Sequence, residues 1–494
     1  MSTSVPSQSN PCKPVGARNP RHPTAASRLL ALVLGLSAPA LPLPAATDEP
    51  AASFGTASPH GDGAAPDTGA ALERAQLFLT EQQRDDGSWR SDHYGHLADG
   101  ASLTAHVAVQ MRRSDRLDAD RHAAAVDFVL RHNGGAPPVN EPIHTTALVL
   151  ELLAGVNTPA AETARQRRFE RLANRRLAGP GGQRADHPDH GGWSYALIDP
   201  PAPGPDQRQG PGPFSANLSA TRFAIDALHM PGDRLPPGAT AEIRAEWSAA
   251  AATLALRCQN TPERGPADST GIDGRPIVFN DGGFFFSPTD PALNKAGALA
   301  TDHQRQPRFH SYGSATCDAL LLLLHAGHDR DHPAVEAGMH WLRQRVGDDL
   351  PARSVHPGRF AADREPLRHS YDYYFLNGAA RLLHEWDRRF GLEEWQLTWA
   401  GRCRDLLLER QQADGSWRNA FSDGSEDDPL VATPMALNAL ARLHQIVGSQ
   451  HAGAGRDSLG GADTGTIAMG RHRTSGTEVL LVLQHQARPV RTAR

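Results

Sequence analysis

Cysteine is scarce and irregular in this chain. Cys12, Cys258, Cys317 and Cys403 are its only cysteines, with no CxxC pair and no regular spacing, which excludes a zinc ribbon and a disulfide framework. Cys12 falls in a segment expected to be removed. The other three are an odd number, so at least one is a free thiol, and most such thiols are small buried hydrophobes. Long apolar runs are missing too. Leu29 to Leu36 is too short, and too closely followed by Pro39, Pro42 and Pro44, to span a bilayer. Basic excess is absent: a formal charge of −5 excludes a general nucleic-acid binder, which needs clustered Lys and Arg for phosphate. Aromatics are few, at 6%. The 24 histidines are scattered, which is the distribution of surface and core filler.

What is present is enough for a large core: 39% of the 494 residues are hydrophobic and 21% charged. The 46 glycines and 39 prolines point to long irregular connections. Arg18, Arg21 and Arg28, the apolar Leu29–Leu36 and the small residues Ala38-Pro39-Ala40 or Pro44-Ala45-Ala46 read as an export signal over 1–46, with the mature protein periplasmic or secreted. Residues 47–68 read as a flexible linker. The stretch 451–494 reads as a low-complexity tail in which Glu478 to Leu483 is long enough for one short element.

Between them the chain repeats itself. Gln82-Gln83-Arg84-Asp85-Asp86-Gly87-Ser88-Trp89 returns as Gln411-Gln412-Ala413-Asp414-Gly415-Ser416-Trp417. Each follows an Ala/Leu-rich helical run and precedes a Thr-containing apolar helix, at Leu103-Thr104-Ala105 and Val431-Ala432-Thr433. Weaker copies lead to His144-Thr145-Thr146, to Leu218-Ser219-Ala220-Thr221 through Gly191-Gly192-Trp193, to Ser314-Ala315-Thr316 through Asp281-Gly282-Gly283-Phe284, and to His369-Ser370-Tyr371. About six helix–loop–helix units result. The motif is best preserved in the first and last units, whereas the ends of an open solenoid are atypical caps, so the expectation is a closed double ring of inner and outer helices.

The Gln-rich Asp-Gly-Ser-Trp element resembles the QW motif of squalene and hopene cyclases, and the wider pattern is similar to the prenyltransferase and squalene-oxidase repeat. The GGW and GGF turns at Gly191 and Gly282, and Tyr373-Tyr374-Phe375-Leu376-Asn377-Gly378, resemble the same superfamily. The resemblance covers 69–447 and implies an all-α toroid, placed here over 69–450. It also implies that Gln82, Gln83, Trp89, Gln411, Gln412 and Trp417 fasten helices together rather than carry chemistry, with each indole expected over its Gln amide. The family's reactions are not written in these residues. There is no DxDD acid. Cys317 stands where a zinc-ligating cysteine would, but Ala315 replaces the aspartate and Tyr371 the histidine, and no metal or cofactor is expected. A long insertion holding Lys295, Arg305 and Arg308 replaces the diphosphate-binding bases. The thioester motif Cys-Gly-Glu-Gln is absent as well.

Parallel inner helices bring their N-termini to one rim, a field suited to an anion. Tyr195, Tyr312, Tyr371, Tyr373 and Tyr374 fall at or near those starts and are the candidate ligand-binding residues. Weaker catalytic candidates are Glu426, Asp427, Asp428, His369 and Asp372, with Asp92, His93, Tyr94, Asp99 and Asp281 elsewhere on the mouth. Ala/Leu-rich inner helices lead to the expectation of an apolar central cavity holding a lipid-like or isoprenoid-derived molecule. An exported interaction scaffold with a protein partner is the alternative. A glycan-active (α/α)6 enzyme, whose paired carboxylates or Tyr/His set would line the mouth, is a further one.

Overall fold

The computed structural model describes residues 67–457, apart from short internal stretches such as 179–184, 201–213, 262–268 and 348–355. The expected signal, nearly all of the linker and most of the tail lie outside the described residues. The chain divides into two units, Met1–Gly448 and Ser449–Arg494, and the account below concerns the first.

Among the described residues, six outer and six inner helices alternate along the chain. The outer ones are α1 (Thr68–Glu81), α3 (Ala119–Arg131), α5 (Pro159–Arg175), α7 (Ala241–Arg257), α9 (Pro333–Gly347) and α11 (Glu394–Arg410). The inner ones are α2 (Ala101–Arg113), α4 (Ile143–Leu152), α6 (Leu218–Asp226), α8 (Gly313–His325), α10 (Asp372–Phe390) and α12 (Pro429–Asp457). Two small antiparallel pairs decorate the α7–α8 connection. Ser269–Thr270 (β1) pairs with Pro276–Ile277 (β2), and Ala298–Thr301 (β3) with Pro307–Phe309 (β4), Ala298 facing Phe309.

The layers follow from burial pattern. Outer helix α1 buries Thr68, Ala71, Leu72, Ala75 and Leu79, a single stripe at three- and four-residue spacing. Inner helices α4 and α6 are buried at every position, and α8 from Gly313 to Leu324, as helices covered on all sides must be. The side chains of Asp118, Thr158, Asn217 and Thr240 each accept a backbone N–H at the start of the following helix, satisfying donors that would otherwise be unpaired.

One clasp recurs where an outer helix hands over to an inner one. The indoles of Trp89, Trp193 and Trp417 donate to the carbonyls of Leu79, Leu172 and Leu407 at 2.7, 2.8 and 2.7 Å, near the C-terminal ends of α1, α5 and α11. Carbonyls there run out of helical donors. The backbone N–H of each tryptophan, and of Phe284, donates to a threonine hydroxyl in the first turns of the inner helix: Thr104, Thr221, Thr433 and Thr316. The motif joins each outer helix to the inner helix that follows it, the indole reaching back to its own outer helix.

Only one glutamine of each pair reaches the neighbouring unit. Gln83 Nε2 donates to Gly87 O and to Arg121 O of α3, at 3.0 and 3.1 Å. Gln411 Nε2 donates to Gly415 O at 3.0 Å and to Ala71 O of α1 at 2.8 Å. Gln412 donates only to the nearby Arg410 carbonyl. Gln259, not singled out from the sequence, does the same work, donating to Gly282 O and to Ala334 O of α9.

The contacts of the last unit with the first close the ring. Besides Gln411, the hydroxyl of Tyr94 donates to Asp427 at 2.5 Å, and the Ser91 hydroxyl bonds to Asp428. In the inner layer α2, α4, α6, α8 and α10 pack in succession. Asn438 of α12 donates to Asn377 of α10 at 2.7 Å, and His106 of α2 lies 3.1 Å from the Val431 carbonyl of α12. The protein is an all-α toroid of six helix pairs.

Candidate functional site

The middle of the ring is not apolar. Arg222 on α6 contacts Asp226 one turn on at 2.6 Å, Asp318 of α8 at 2.6 Å and the Tyr374 hydroxyl of α10 at 3.2 Å. Tyr374 also bonds to Asp318 at 2.7 Å and to Ser219 of α6 at 2.7 Å. Asp226 receives Arg381 of α10 at 2.8 Å and His325 of α8 at 3.2 Å. Because α8 stands between α6 and α10, the Ser219–Tyr374 and Asp226–Arg381 bonds cross the ring's interior. Arg113 of α2 grips Glu151 of α4 through two bonds of 2.6 and 2.8 Å. With Arg442 of α12, every inner helix sends at least one charged group to this interior.

This departs from the apolar cavity expected from Ala/Leu content. Those residues are there, but they pack between the helix layers, and the polar position of each inner helix is the one turned inward. Arg113 ends α2, where a cation is favoured, whereas Arg222, Arg381 and Arg442 lie mid-helix and are held by the acids that face them. Asp226, shared by Arg381, Arg222 and His325, is held well below the usual carboxylate range although burial pushes it up. Burial raises Asp318, with Arg222 and Tyr374 pulling back.

At the N-terminal rim the structure brings together four of the five candidate tyrosines. Tyr312 and Tyr371 are the residues preceding α8 and α10, and Tyr374 is in the first turn of α10. The Ser194–Ala216 bridge carries Tyr195 to the start of α6, 23 residues later in sequence. Tyr195 lies 6.3 Å from Phe286, centroid to centroid. The Lys295 ammonium lies 3.1 Å from the Tyr371 ring centroid, 5.7 Å from that of Tyr312 and 5.9 Å from that of Phe286. Tyr373 is not part of this cluster: its hydroxyl turns to the Arg418 carbonyl in the loop after α11.

Lys295 is placed by its insertion loop. Asn294, wholly buried, accepts from Phe286 N and Ser287 N and donates to the Ser287 and Asp290 carbonyls. The Phe286 carbonyl in turn accepts Leu218 N at the start of α6, and Ala296 O accepts Ala361 N. Lys295 is 9% exposed, and among the described residues its ammonium meets aromatic faces but no hydrogen-bond acceptor. Burial pushes its pKa down to about 7, against the pull of Glu426 and Asp318. The Tyr312 hydroxyl is also buried without a hydrogen-bond partner. The Tyr195 hydroxyl lies beside Ser219 but makes no hydrogen bond of good geometry.

The weaker acidic candidates are engaged structurally. Glu426 accepts Tyr373 N and Tyr374 N at 3.0 and 2.7 Å, capping α10 rather than its own helix, and burial raises it to about 8. Asp428 accepts Leu430 N and caps α12, and Asp427 holds Tyr94. Asp372 pairs with Arg410 at 2.8 Å, and His369 stacks on Phe421. Asp281 takes Ser311 and Trp341, Asp92 pairs with Arg84 on the surface, and Asp99 caps the start of α2. Cys258, Cys317 and Cys403 are buried free thiols, the Cys317 thiol pushed well up by burial. Among the described residues no group of three or more His, Cys, Asp or Glu is placed to hold a metal ion. A pocket of about 360 Å³ lined by Arg343, Trp395, Trp399 and Arg402 lies on the outer layer, between α9 and α11 and away from the rim.

Lys295 and the ionic interior were not recognised as site features from sequence, yet a signal for Lys295 exists. The chain has 48 arginines and two lysines, Lys13 in the expected leader and Lys295.

No protein-family model matches the chain, and no curated protein matches its sequence. Solved structures do resemble it in trace. An apo type II terpene cyclase from Scytonema is 15% identical over 77% of this chain and 98% of its own, with a TM-score of 0.44. An α-1,6-mannanase from Salegentibacter is 11% identical over 77% of this chain and 100% of its own, at 0.47. An unsaturated glucuronyl hydrolase specific for heparin is 13% identical over 77% and 97%, at 0.45. At these values no residue role and no reaction is transferred from them.

Proposed function

We propose that this toroid is a carbohydrate-binding protein that takes its ligand at the aromatic rim over the starts of α6, α8 and α10. The observation that carries the reading is the pairing of flat aromatic faces with unpartnered polar heads. Tyr195, Phe286, Tyr312 and Tyr371 supply the faces; the Tyr312 and Tyr195 hydroxyls and the Lys295 amine supply hydrogen-bonding groups that the described residues leave unsatisfied. A sugar matches this chemistry, with C–H faces for the rings and hydroxyls for the polar heads. A lipid-like or isoprenoid ligand does not, because the ion pairs crossing the ring would face its hydrocarbon and polar groups of that kind cost free energy in apolar surroundings.

None of these rim side chains is more than 9% exposed, so binding requires the rim to open. Export, expected from the Arg-flanked Leu29–Leu36 segment, would bring the chain to extracellular glycans; N-terminal sequencing of periplasmic material that returned Met1 would remove that support. The binding test is a melting and calorimetric titration against neutral and acidic oligosaccharides, with farnesol and a hopanoid as lipid probes. The expected result is a melting shift with at least one oligosaccharide, weakened in Tyr312→Phe. Binding of the lipids with no response to any oligosaccharide would overturn the proposal.

A further inference from the structure

Lys295 is singled out by composition as well as by place. Arginine is this chain's default base, outnumbering lysine 48 to two. A site that needed only a fixed positive charge, or a fork for a carboxylate, would be served by arginine at least as well. What lysine can do and arginine cannot is give up its proton and act as an amine.

The surroundings favour that use. Lys295 is nine-tenths buried against the faces of Tyr371, Tyr312 and Phe286, and among the described residues no acceptor takes its N–H groups. An ammonium without hydrogen bonds in an apolar wall tends to neutralise, which is the usual way that an enzyme lysine becomes nucleophilic. The groups facing it are mixed. Glu426 and Asp318 favour the charged form, as does the Tyr371 ring, while His356, itself held neutral by burial, packs against Tyr312. Asn294 ties the loop that carries it to Phe286 and Ser287, and the Phe286 carbonyl accepts Leu218 N at the start of α6, so the amine is fixed in place instead of hanging on a free chain.

We propose that Lys295 is a reactive amine that captures the carbonyl carbon of an aldehyde, such as the open-chain end of a reducing sugar, as an imine. This rests on the carbohydrate reading of the same rim. In the step the Nζ lone pair attacks the carbonyl carbon, and a proton passes from nitrogen to oxygen to give a carbinolamine. The hydroxyl then leaves as water with a second proton from nitrogen, and the C=N bond forms. Atoms balance with one water released, and no oxidant or reductant is required.

The rarity of lysine makes the test almost site-specific. The full chain is incubated with D-glyceraldehyde and sodium cyanoborohydride at a series of pH values, beside Nα-acetyl-lysine in the same tube, and adducts are located by peptide mapping. The expected result is an adduct at Lys295 forming at least tenfold faster than on the free amino acid at neutral pH. Its rate should rise through a midpoint near 7, and Lys295→Arg, folded by circular dichroism, should not carry it. A Lys295 that stays unmodified, or reacts no faster than acetyl-lysine, overturns the proposal. The two readings fail separately. Oligosaccharide binding with an inert Lys295 would sink only the imine, whereas a labelled Lys295 that no oligosaccharide protects would count against the carbohydrate site.

Discussion

Ring closure can be tested at a single glycine. Gly415 has φ +86°, and a Cβ there would sit 2.5 Å from the Arg74 carbonyl oxygen and 2.6 Å from its carbon, both in the backbone of α1. Gly415→Ala therefore carries two costs. Placing a side chain in the left-handed region costs roughly 1–2 kcal/mol. Pressing a methyl into backbone that cannot swing aside adds about 1–3 kcal/mol, the usual range for overpacking. The second cost exists only if the first outer helix is docked on the last unit. Two further glycines separate the terms. Gly327 has φ +87° with nothing within 4 Å of its Cβ position, so Gly327→Ala reports the backbone cost alone. Gly87 has φ +86° and would drive a Cβ to 2.1 Å from the Ala124 carbonyl in α3, so Gly87→Ala reports the same clash at a junction inside the chain. In urea unfolding, Gly415→Ala should exceed Gly327→Ala by about 1–3 kcal/mol and approach Gly87→Ala. If Gly415→Ala matched Gly327→Ala within experimental error while Gly87→Ala stayed costly, the repeats would form an open solenoid in solution and the closure argument would be refuted.

Three other outcomes follow from the contacts. Trp89→Ala and Trp417→Ala, each removing a fully buried indole that also caps a helix carbonyl, should each cost roughly 3–5 kcal/mol in urea titrations without changing which oligosaccharides shift the melting point. Arg222→Met should lower stability by about 3–5 kcal/mol, because it strands Asp226 and Asp318 in the interior with one partner fewer; a neutral result in the same assay would mean that water fills the interior. Asp226, held below its unfolded value near 3.9, contributes stability that is fully present above that pH and lost as pH falls through the folded value. Acid titrations followed by circular dichroism should accordingly show a steep loss below about pH 4, and a shallower one in Asp226→Asn.

The scaffold was readable because its signals are local. An Asp-Gly turn, a tryptophan and a threonine about 15 residues later sit close together in the chain, and the clasp uses backbone and near-neighbour groups. Even so, the details needed coordinates. Which glutamine of each pair bridges to the next helix depends on side-chain direction at a helix end, and Gln259 escapes notice because its unit carries Phe284 where the others carry tryptophan. Tyr195 is expected near an inner-helix start from sequence, and the Ser194–Ala216 bridge is what carries it to α6.

The interior was misjudged for a different reason. Apolar content averages over a helix, whereas the lumen is lined by the one position per turn that faces neither neighbour. On α6 that row is Ser219, Arg222 and Asp226, spaced by three and four residues; on α10 it is Tyr374, Asn377 and Arg381, with the same spacing. Each row is polar throughout, inside helices that are otherwise apolar. These residues could have been picked out by asking which side of a fully buried helix carries its charges, since a charge is kept inside only where another helix answers it. The same question, put to a chain that uses arginine almost everywhere, leads to Lys295: the base that differs from the rest is the one placed where a proton can be lost.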